Sequence, residues 1–268
     1  MTGSFGAYAR YYDLLYRDKD YPAEARYVHG LIQRYMPAAC SILELGCGTG
    51  AHALEFAELG YEVHGVDASE GMLERARERQ VSLTPEAAAR LTFSAGDVRS
   101  FRAGRRFDAV TALFHVVSYQ VNDEDLAGTF ATAAAHLAPR GIFLFDCWYG
   151  PAVLADPPVV RVKRLEDANT RVLRIAEPTM CFDENVTEVD YQVQVTDLAS
   201  GRTEEIRERH RLRYLFESEL KRYLQVAGLE PVHLGKWMSD EAASAETWNV
   251  VMVGRAATVG GTEACVWE

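Results

Sequence analysis

Residues 41–50 read Ser-Ile-Leu-Glu-Leu-Gly-Cys-Gly-Thr-Gly, an apolar run that ends in three glycines at alternate positions. The run is typical of a short buried strand, and the next segment carries Ala53, Phe56 and Ala57 on one helical face before Gly60 ends it. Glycines between a strand and a helix let the backbone approach a ligand where a Cβ would collide. The stretch therefore predicts a ligand-binding turn at the edge of a sheet.

The alternation of strands and helices continues on both sides of this turn. Strands are predicted at 41–46, 61–67, 91–97, 107–114 and 141–148, and helices from Pro22, at 51–60, at 70–79 and between the last two strands. Strands that alternate with helices imply a doubly wound parallel sheet. The sequence thus predicts an α/β protein with a Rossmann-like sheet.

The pattern changes from about Val159 to Phe216, where extended segments with turn signals follow one another. Residues 189–195 alternate with a strict period of two, which indicates a strand of an antiparallel insert. A helix at 217–228 and strands at 229–237 and 247–255 then return to the earlier pattern. An insert after the fifth strand would lie over the carboxyl edge of the sheet, where open α/β sheets bind ligands.

Composition limits the kinds of partner that we expect. The net charge is −11, which repels nucleic acid and anionic lipid. No stretch approaches the roughly 20 apolar residues that span a bilayer, and the first thirty residues lack a signal-peptide segment. We expect a cytoplasmic protein without a membrane partner, and a homodimer is compatible with the sequence. Five widely spaced cysteines indicate reduced thiols: Cys40, Cys47, Cys147, Cys181 and Cys265.

Three carboxylates stand at the ends of successive predicted strands. Glu44 precedes the glycine loop, Asp67 ends the second strand and Asp97 follows the third. The loop spacing is G-x-G-x-G, whereas the dinucleotide fingerprint is G-x-G-x-x-G and faces a pyrophosphate. Glu44 suits a ligand with an ammonium and a sulfonium, Asp67 can accept hydrogen bonds from ribose hydroxyls, and Asp97 can meet an adenine amino group. Together they favour a cationic nucleoside.

Four segments, ILELGCGTG, VHGVDAS, AGDVRSF and FDAVTALF, resemble the successive motifs of class I S-adenosylmethionine-dependent methyltransferases over about residues 40–148. The family's fold is a seven-stranded Rossmann-like sheet whose last strand is antiparallel. The resemblance implies S-adenosylmethionine as the cofactor and S-adenosylhomocysteine as its product. The predicted cofactor-binding residues of the main domain are Glu44, Gly46, Gly48, Asp67 at the ribose, Ala68 and Met72 beside the adenine, Gly96, Asp97 and Val98 at the base, and Leu113 at the methionine tail.

The tyrosine-rich amino terminus resembles the lid of small-molecule methyltransferases. The likeness is to enzymes that methylate the amine of nucleotide-linked deoxyamino sugars, and to the glycine and sarcosine methyltransferases. It places Tyr12 and Tyr21 over the cofactor, although a tyrosine-rich helix can also simply pack on a domain. We divide the chain into a helical lid (1–36), a cofactor-binding Rossmann-like domain (37–157 and 217–256), an antiparallel β insert on the acceptor side (158–216) and a tail (257–268).

Candidate acceptor residues follow the fourth and fifth strands. Methyl transfer is an in-line displacement, so the protein supplies alignment, desolvation and sometimes a base. His115 and Tyr119 are the base candidates, and each can equally be a pocket wall without a proton role. Trp148 and Tyr149 form either an aromatic wall of the acceptor pocket or ordinary core packing.

The segment 206–215 adds two further candidates and a row of cations. Read as a strand, it places His210 and Tyr214 on one face, as acceptor-pocket candidates, and four arginines at alternate positions on the other face. The arginines can bind the diphosphate of a nucleotide-linked substrate, or they can form a solvated face paired with Glu204 and Glu205.

The sequence predicts methyl transfer to a small-molecule acceptor. The lid tyrosines, Tyr119 and the insert favour N-methylation of an amine such as a nucleotide-linked amino sugar. O-methylation of a sugar or natural-product hydroxyl, with His115 as the base, is the alternative. A nucleotide-dependent oxidoreductase and a non-catalytic binding protein are more distant. We expect no metal, because Asp146 has no accompanying carboxylate cluster and no His/Cys spacing suits zinc.

Overall fold

The fold combines a central seven-stranded sheet with a separate four-stranded sheet, and the computed structural model describes residues 9–257. Residues 1–8 of the predicted lid and 258–268 of the predicted tail, with Cys265, lie outside the described residues. The strands are β1 (Ser41–Leu45), β2 (Glu62–Asp67), β3 (Leu91–Ala95), β4 (Phe107–Ala112), β5 (Leu137–Trp148), β6 (Arg161–Glu166), β7 (Thr170–Cys181), β8 (Val186–Asp197), β9 (Thr203–Arg213), β10 (Leu229–Lys236) and β11 (Asn249–Ala256).

Eight α-helices are described within residues 9–257, and α5 and α7 are short elements of four and six residues beyond those that the sequence predicted. The helices are α1 (Ala9–Leu15), α2 (Tyr21–Tyr35), α3 (Ala51–Glu58), α4 (Glu70–Gln80), α5 (Pro85–Ala88), α6 (Asp123–Ala135), α7 (Gly150–Ala155) and α8 (Glu217–Val226). Within this part of the chain, no helix is both long and apolar enough to cross a membrane.

The central sheet has the strand order β10-β11-β5-β4-β1-β2-β3. Strands β1 to β5 pair in parallel, whereas β11 is antiparallel to both β5 and β10. This confirms the predicted Rossmann-like sheet of seven strands with its last strand antiparallel. The chain leaves β1 toward β2 on one side and later returns to β4 on the other. The carboxyl end of β1 is therefore a point where the strand order reverses, and open α/β sheets bind ligands at such a point.

Buried apolar side chains hold helices against both faces of the sheet. All five residues of β1 are buried, as expected for a strand with helices on both faces. On one face, Phe130 of α6 packs edge-on against Phe143 and Phe145 of β5, with ring centroids 5.4 and 5.2 Å apart. On the other face, α2 and α3 cover β1 and β5 through Ile32, Phe56 and their neighbours. The two apolar layers fix the sheet and leave its carboxyl edge for ligands.

Strand β5 begins at Leu137, earlier than the predicted residue 141. Leu137 pairs with Phe107, and the register shifts before Ala109 pairs with Ile142. Arg140 has a φ of +65° within this irregular stretch. Pro139 and Gly141 carry turn signals in the sequence, so the sequence pattern alone did not predict the early pairing.

The predicted antiparallel insert is the sheet β6-β7-β8-β9, which the chain builds between β5 and α8. Helix α1 of the lid rests on this sheet, because Leu15 is fully buried in a cluster with Val172, Val193 and Ile206. Lys163 of β6 also donates to the Leu15 carbonyl at 2.7 Å. The predicted boundaries at 157/158 and 216/217 fall in the segment before β6 and at the start of α8. The lid and the insert therefore form one layer.

The surroundings of Gly65 in β2 and Gly30 in α2 predict opposite effects of alanine substitution on stability. A Cβ at Gly65 would lie 2.7 Å from Phe93 Cδ1 and 2.9 Å from Cys47 Sγ, whereas a Cβ at Gly30 of α2 would meet nothing within 4 Å. We expect Gly65→Ala to lower the free energy of unfolding by about 1–3 kcal/mol through overpacking. Gly30→Ala should raise it by up to about 1 kcal/mol, because alanine favours a helix. Urea unfolding followed by circular dichroism measures both, and equal midpoints for the two variants would contradict this packing.

Candidate active site

A cavity of about 1290 Å³ lies where the carboxyl ends of β1 to β4 meet β8, β9 and the lid. A pocket for one drug-sized ligand has roughly 300–1000 Å³, so this cavity has room for a cofactor and an acceptor together. Every residue that the sequence predicted to bind the cofactor lines it: Tyr12, Tyr21, Glu44, Gly46, Gly48, Asp67, Ala68, Met72, Gly96, Asp97, Val98 and Leu113.

The glycine loop is held in a conformation that favours glycine. Gly46, Gly48 and Gly50 have φ values of +74°, +54° and +73°. The Gly46 amide donates to the Val66 carbonyl at 2.7 Å, and a Cβ on Gly46 would lie 2.6 Å from Val116 Cγ2. A Cβ on Gly48 would meet nothing within 4 Å, so the loop is open at that position. The loop forms a shallow cradle between β1 and α3.

Asp67 joins the cradle to the end of β2. Its carboxylate accepts hydrogen bonds from the Gly48 amide at 2.9 Å and from the Ser69 amide at 2.8 Å. Burial raises the pKa of Asp67, and the two amide donors oppose that rise. A carboxylate can accept more than two hydrogen bonds, so Asp67 can hold the loop and still accept hydroxyl donors from a ligand.

Glu44 is a buried carboxylate with one unsatisfied oxygen. Its exposed fraction is 1 %, and its Oε2 finds no hydrogen-bond donor among the described residues. Burial, together with the nearby Asp67 carboxylate, raises the pKa of Glu44 to about 8. His52 of α3 approaches the other oxygen, with 3.8 Å between Nδ1 and Oε1. An unsatisfied carboxylate at a cavity wall favours a cationic ligand.

Asp97 is fixed by its neighbour Arg99. The Arg99 backbone amide and Nε donate to Asp97 Oδ1 at 2.9 and 2.8 Å, and Arg99 Nη1 also reaches Asp125 at 2.7 Å. The hydrogen bond from the Arg99 side chain holds the pKa of Asp97 below its usual value. Asp97 therefore lines the cavity as an ionised acceptor with a fixed orientation.

Helices α1 and α2, which the sequence analysis assigned to a lid, border the cavity beside the glycine loop. Asp13 of α1 accepts a hydrogen bond from Thr49 Oγ1 at 2.9 Å and pairs with Arg79 of α4 at 2.6 Å. Tyr21 at the start of α2 packs edge-on against His52, with ring centroids 5.0 Å apart. Tyr12 contacts Tyr16 at 4.7 Å. The lid is thus tied to the cradle by hydrogen bonds and aromatic contacts.

His115 and Asp146 form a dyad at the acceptor side of the cavity. Asp146 is buried at the end of β5, and its Oδ2 lies 2.7 Å from His115 Nδ1. The His115 backbone amide donates to both carboxylate oxygens at 3.2 Å. Phe114 and His115 both have left-handed backbones, with φ of +63° and +67°, and such strain is often found at functional sites. Among the described residues Nδ1 makes no aligned hydrogen bond, so its contact with Asp146 is a close approach of the imidazole to a buried carboxylate.

Two predicted acceptor residues do not line the cavity. Trp148 lines it, and the next residue of the chain, Tyr149, packs in the core beneath the sheet, as expected when side chains alternate along a strand. His210 also lines it, whereas Tyr214 follows the end of β9, is fully buried and contacts Phe216 edge-on at 6.2 Å. Tyr149 and Tyr214 therefore lie outside the wall of this cavity.

Several other residues line the cavity that the sequence analysis did not list as site candidates. Tyr191 of β8 lies on the strand with period-two alternation, and its ring contacts His210 edge-on at 4.9 Å. The strand's alternation was a signal for its exposed and buried faces, but it did not indicate which face meets the cavity. Tyr16, Thr49, His52, Phe114 and Gln120 also line the cavity.

The arginine row of β9 is paired with carboxylates, mostly from other elements. Arg209 contacts Asp190 at 2.7 Å and Glu188 at 3.1 Å, both on the adjacent strand β8. Arg213 is buried and pairs with Asp123 at 2.8 Å. Arg207 pairs at 2.7 Å with Glu205, one of the two carboxylates that the sequence analysis named, and Arg211 pairs with Glu184. The row is therefore largely neutralised within the protein. Residues 9–257 also hold no cluster of three or more His, Cys, Asp or Glu side chains suited to a metal.

Comparison with known proteins assigns the family. The sequence model of the family described as "Methyltransferase domain" matches residues 42–141. A relative from Streptomyces venezuelae, dTDP-3-amino-3,4,6-trideoxy-alpha-D-glucopyranose N,N-dimethyltransferase, is 33% identical over 229 residues, which are 85% of this chain and 92% of the relative. This chain belongs to the class I S-adenosylmethionine-dependent methyltransferases.

Solved structures with a similar fold include the following two. Streptomyces venezuelae DesVI superposes with a TM-score of 0.77 at 29% identity, covering 93% of this methyltransferase and 98% of DesVI. CalS10 from Micromonospora echinaspora, described as an amino pentose methyltransferase with S-adenosylmethionine bound, has a TM-score of 0.73 at 28% identity. The match covers 91% of this chain and 96% of CalS10.

The cradle of this methyltransferase fits S-adenosylmethionine. The unsatisfied Glu44 oxygen suits a cationic tail, Asp67 suits the ribose, and the open backbone at Gly48 allows close approach of a ligand. The cavity wall beside the described glycine loop carries the carboxylates Glu44 and Asp67, which would repel a diphosphate. The residues at the loop thus fit a cationic nucleoside better than a dinucleotide.

The raised pKa of Glu44 predicts that cofactor binding releases a proton. In the free protein Glu44 is protonated at pH 7, because its pKa is about 8. A bound cation lowers that pKa, so binding at pH 7 should release about one proton, and the affinity should rise with pH and level off above pH 8. Calorimetry in buffers of different ionisation enthalpy measures this release. Glu44→Gln should abolish it and the exposed Glu58→Gln should not, whereas equal release from both variants would contradict the assignment.

Proposed function

We propose that this methyltransferase methylates the amine of an amino sugar carried on a nucleoside diphosphate. The sequence relationship to the dTDP-amino-sugar N,N-dimethyltransferase of Streptomyces venezuelae carries the proposal, because it extends over 85% of this chain and includes the insert side of the cavity. The cavity volume of about 1290 Å³ is sufficient for an acceptor of this size beside the cofactor. The net charge of −11 is unsuited to a nucleic-acid acceptor.

The residues of the glycine cradle hold and orient the cofactor in this proposal. Bound S-adenosylmethionine supplies a methyl group activated by a sulfonium. Glu44 would hold the cationic part of the ligand and Asp67 its ribose, while Tyr12 and Tyr21, which line the cavity, would cover them and exclude water. Because a sulfonium is already a good leaving group, the transfer needs alignment and desolvation rather than a Lewis acid.

His115 is the base in this proposal. An amine must be unprotonated to attack through its lone pair, and each methylation leaves a nitrogen cation with a proton to lose. The Asp146 carboxylate beside Nδ1 stabilises the imidazolium that forms when His115 Nε2 accepts that proton. Trp148, whose ring lies 6.1 Å from that of His115, adds an apolar wall that limits water.

A matched pair of acceptors tests the proposed function. The purified protein is supplied with S-adenosylmethionine and either a dTDP-linked 3-amino-3,6-dideoxyhexose or the same sugar with a hydroxyl at that carbon. We expect methylation of the amino sugar, detected by mass spectrometry, and none of the hydroxyl sugar. Methylation of the hydroxyl sugar alone would replace this proposal with O-methylation, for which the same His115–Asp146 dyad would deprotonate the hydroxyl.

The role of His115 predicts a pH-dependent loss of activity. We expect His115→Gln to lower kcat about 10²-fold at neutral pH, with unchanged affinity for the cofactor. The loss should shrink as the pH rises above the pKa of the acceptor amine, because the amine then arrives unprotonated. Steady-state kinetics across pH measures this, and His29→Gln is the control, since His29 contacts Tyr61 away from the cavity. A loss of equal size at every pH would mean that His115 only shapes the site.

A further inference from the structure

A buried series of side-chain hydrogen bonds runs from the cavity wall into the insert. Tyr119 Oη lies 2.9 Å from His210 Nδ1, and His210 Nε2 lies 3.0 Å from Glu208 Oε2. The side chains of His210 and Glu208 are only 2 % and 6 % exposed. Tyr119 and His210 line the cavity, whereas Glu208 stands behind His210 and does not line it. Glu208 was assigned no role in the sequence analysis.

The fold fixes the positions of all three hydrogen-bonded residues, Glu208, His210 and Tyr119. Glu208 and His210 point to the same face of β9, because they are two residues apart on a regular strand. They pair with Tyr191 and Val189 of β8, and the Tyr191 ring supports the imidazole edge-on at 4.9 Å. Tyr119 comes from the short 3₁₀ turn Val117–Tyr119 that follows β4. These hydrogen bonds therefore link the central sheet to the insert across the acceptor side of the cavity.

Hydrogen-bond chemistry decides which group donates in each of these hydrogen bonds. An ionised carboxylate has only acceptor oxygens, so Glu208 requires a proton on Nε2 of His210. A neutral imidazole with its proton on Nε2 has an acceptor at Nδ1, which in turn requires Tyr119 to donate its hydroxyl proton. The Tyr119 oxygen is then limited to accepting hydrogen bonds from other groups. The Glu208 carboxylate thus determines, through His210, whether the Tyr119 hydroxyl donates or accepts further hydrogen bonds.

We propose that Glu208 is a positioning residue: it fixes the tautomer of His210 and thereby makes the Tyr119 hydroxyl a hydrogen-bond acceptor for an N–H of the acceptor amine. The proposal rests on the proposed function, since it assigns how the amine is oriented. An amine that donates one N–H to Tyr119 has its lone pair directed elsewhere, as in-line transfer requires. A tertiary amine has no N–H left to donate once its proton is lost, so the same contact favours release of a fully methylated product.

The test combines kinetics with a direct measurement of the tautomer. ¹⁵N NMR of the imidazole nitrogens reports which nitrogen of His210 carries the proton in the free protein, without any acceptor. We expect a proton on Nε2 and none on Nδ1 in the wild type and in Glu208→Asp, which keeps an acceptor-only carboxylate. Glu208→Gln should lose this preference, because an amide can donate as well as accept. A proton on Nδ1 in the wild type, alone or on a doubly protonated ring, would overturn the proposal.

The kinetic part is a double-mutant cycle. Glu208→Gln and Tyr119→Phe should each lower kcat/KM for the amine about tenfold, with unchanged affinity for S-adenosylmethionine. In the Tyr119→Phe background, Glu208→Gln should have no further effect, because both act through the same hydrogen bond. Glu208→Asp should retain most of the activity, and so should the control Glu205→Gln, which removes an exposed carboxylate paired with Arg207 on the same strand. Additive losses, or a loss of cofactor affinity in Glu208→Gln, would reduce Glu208 to a structural residue.

The two readouts separate this inference from the proposed function. A wild-type protein that methylates no amino sugar would refute the proposed function and with it the amine contact. A wild-type protein that methylates the amino sugar but carries the His210 proton on Nδ1 would refute the role of Glu208 alone.

Discussion

Two carboxylates at the ends of β1 and β2, the buried Glu44 and the half-buried Asp67, constrain the rest of this molecule. Parallel pairing of β1 with β2 brings Glu44 and Asp67 to one edge of the sheet, and burial disfavours the charge on both. Asp67 is compensated by loop amides, but one oxygen of Glu44 finds no donor among the described residues. A ligand that brings a positive charge removes this cost.

The cover over that edge is built from two parts of the chain that support each other. Helix α1 is tied to the glycine loop through Asp13 and to the insert through the buried Leu15. The insert in turn reaches the central sheet through the hydrogen bond between His210 and Tyr119. The contacts of Asp13 are polar and partly exposed, whereas the acceptor wall depends on buried contacts. Opening is therefore expected at the lid rather than at the insert.

The cofactor half of the site could be predicted from sequence because its residues are local to strand ends. Glu44, Asp67 and Asp97 each follow a recognisable strand, and the parallel topology brings such ends together. The acceptor half depends on distant contacts that no sequence spacing reveals. His115 meets Asp146 across two strands, and Tyr119 meets His210 of the insert. For the same reason, Tyr149 and Tyr214 were assigned to the pocket from their places in the chain, although packing directs both into the core.

Strand β9 carries opposite chemical characters on its alternate residues, with Glu208 and His210 on one face and Arg207, Arg209 and Arg211 on the other. A change of one residue in the length of this strand would exchange the two faces. The imidazole would then be replaced by guanidinium groups, which repel an ammonium. Insertions and deletions in this strand should therefore be far less tolerated in the evolution of such enzymes than substitutions, and acceptor preference should diverge through side-chain replacement at fixed strand length.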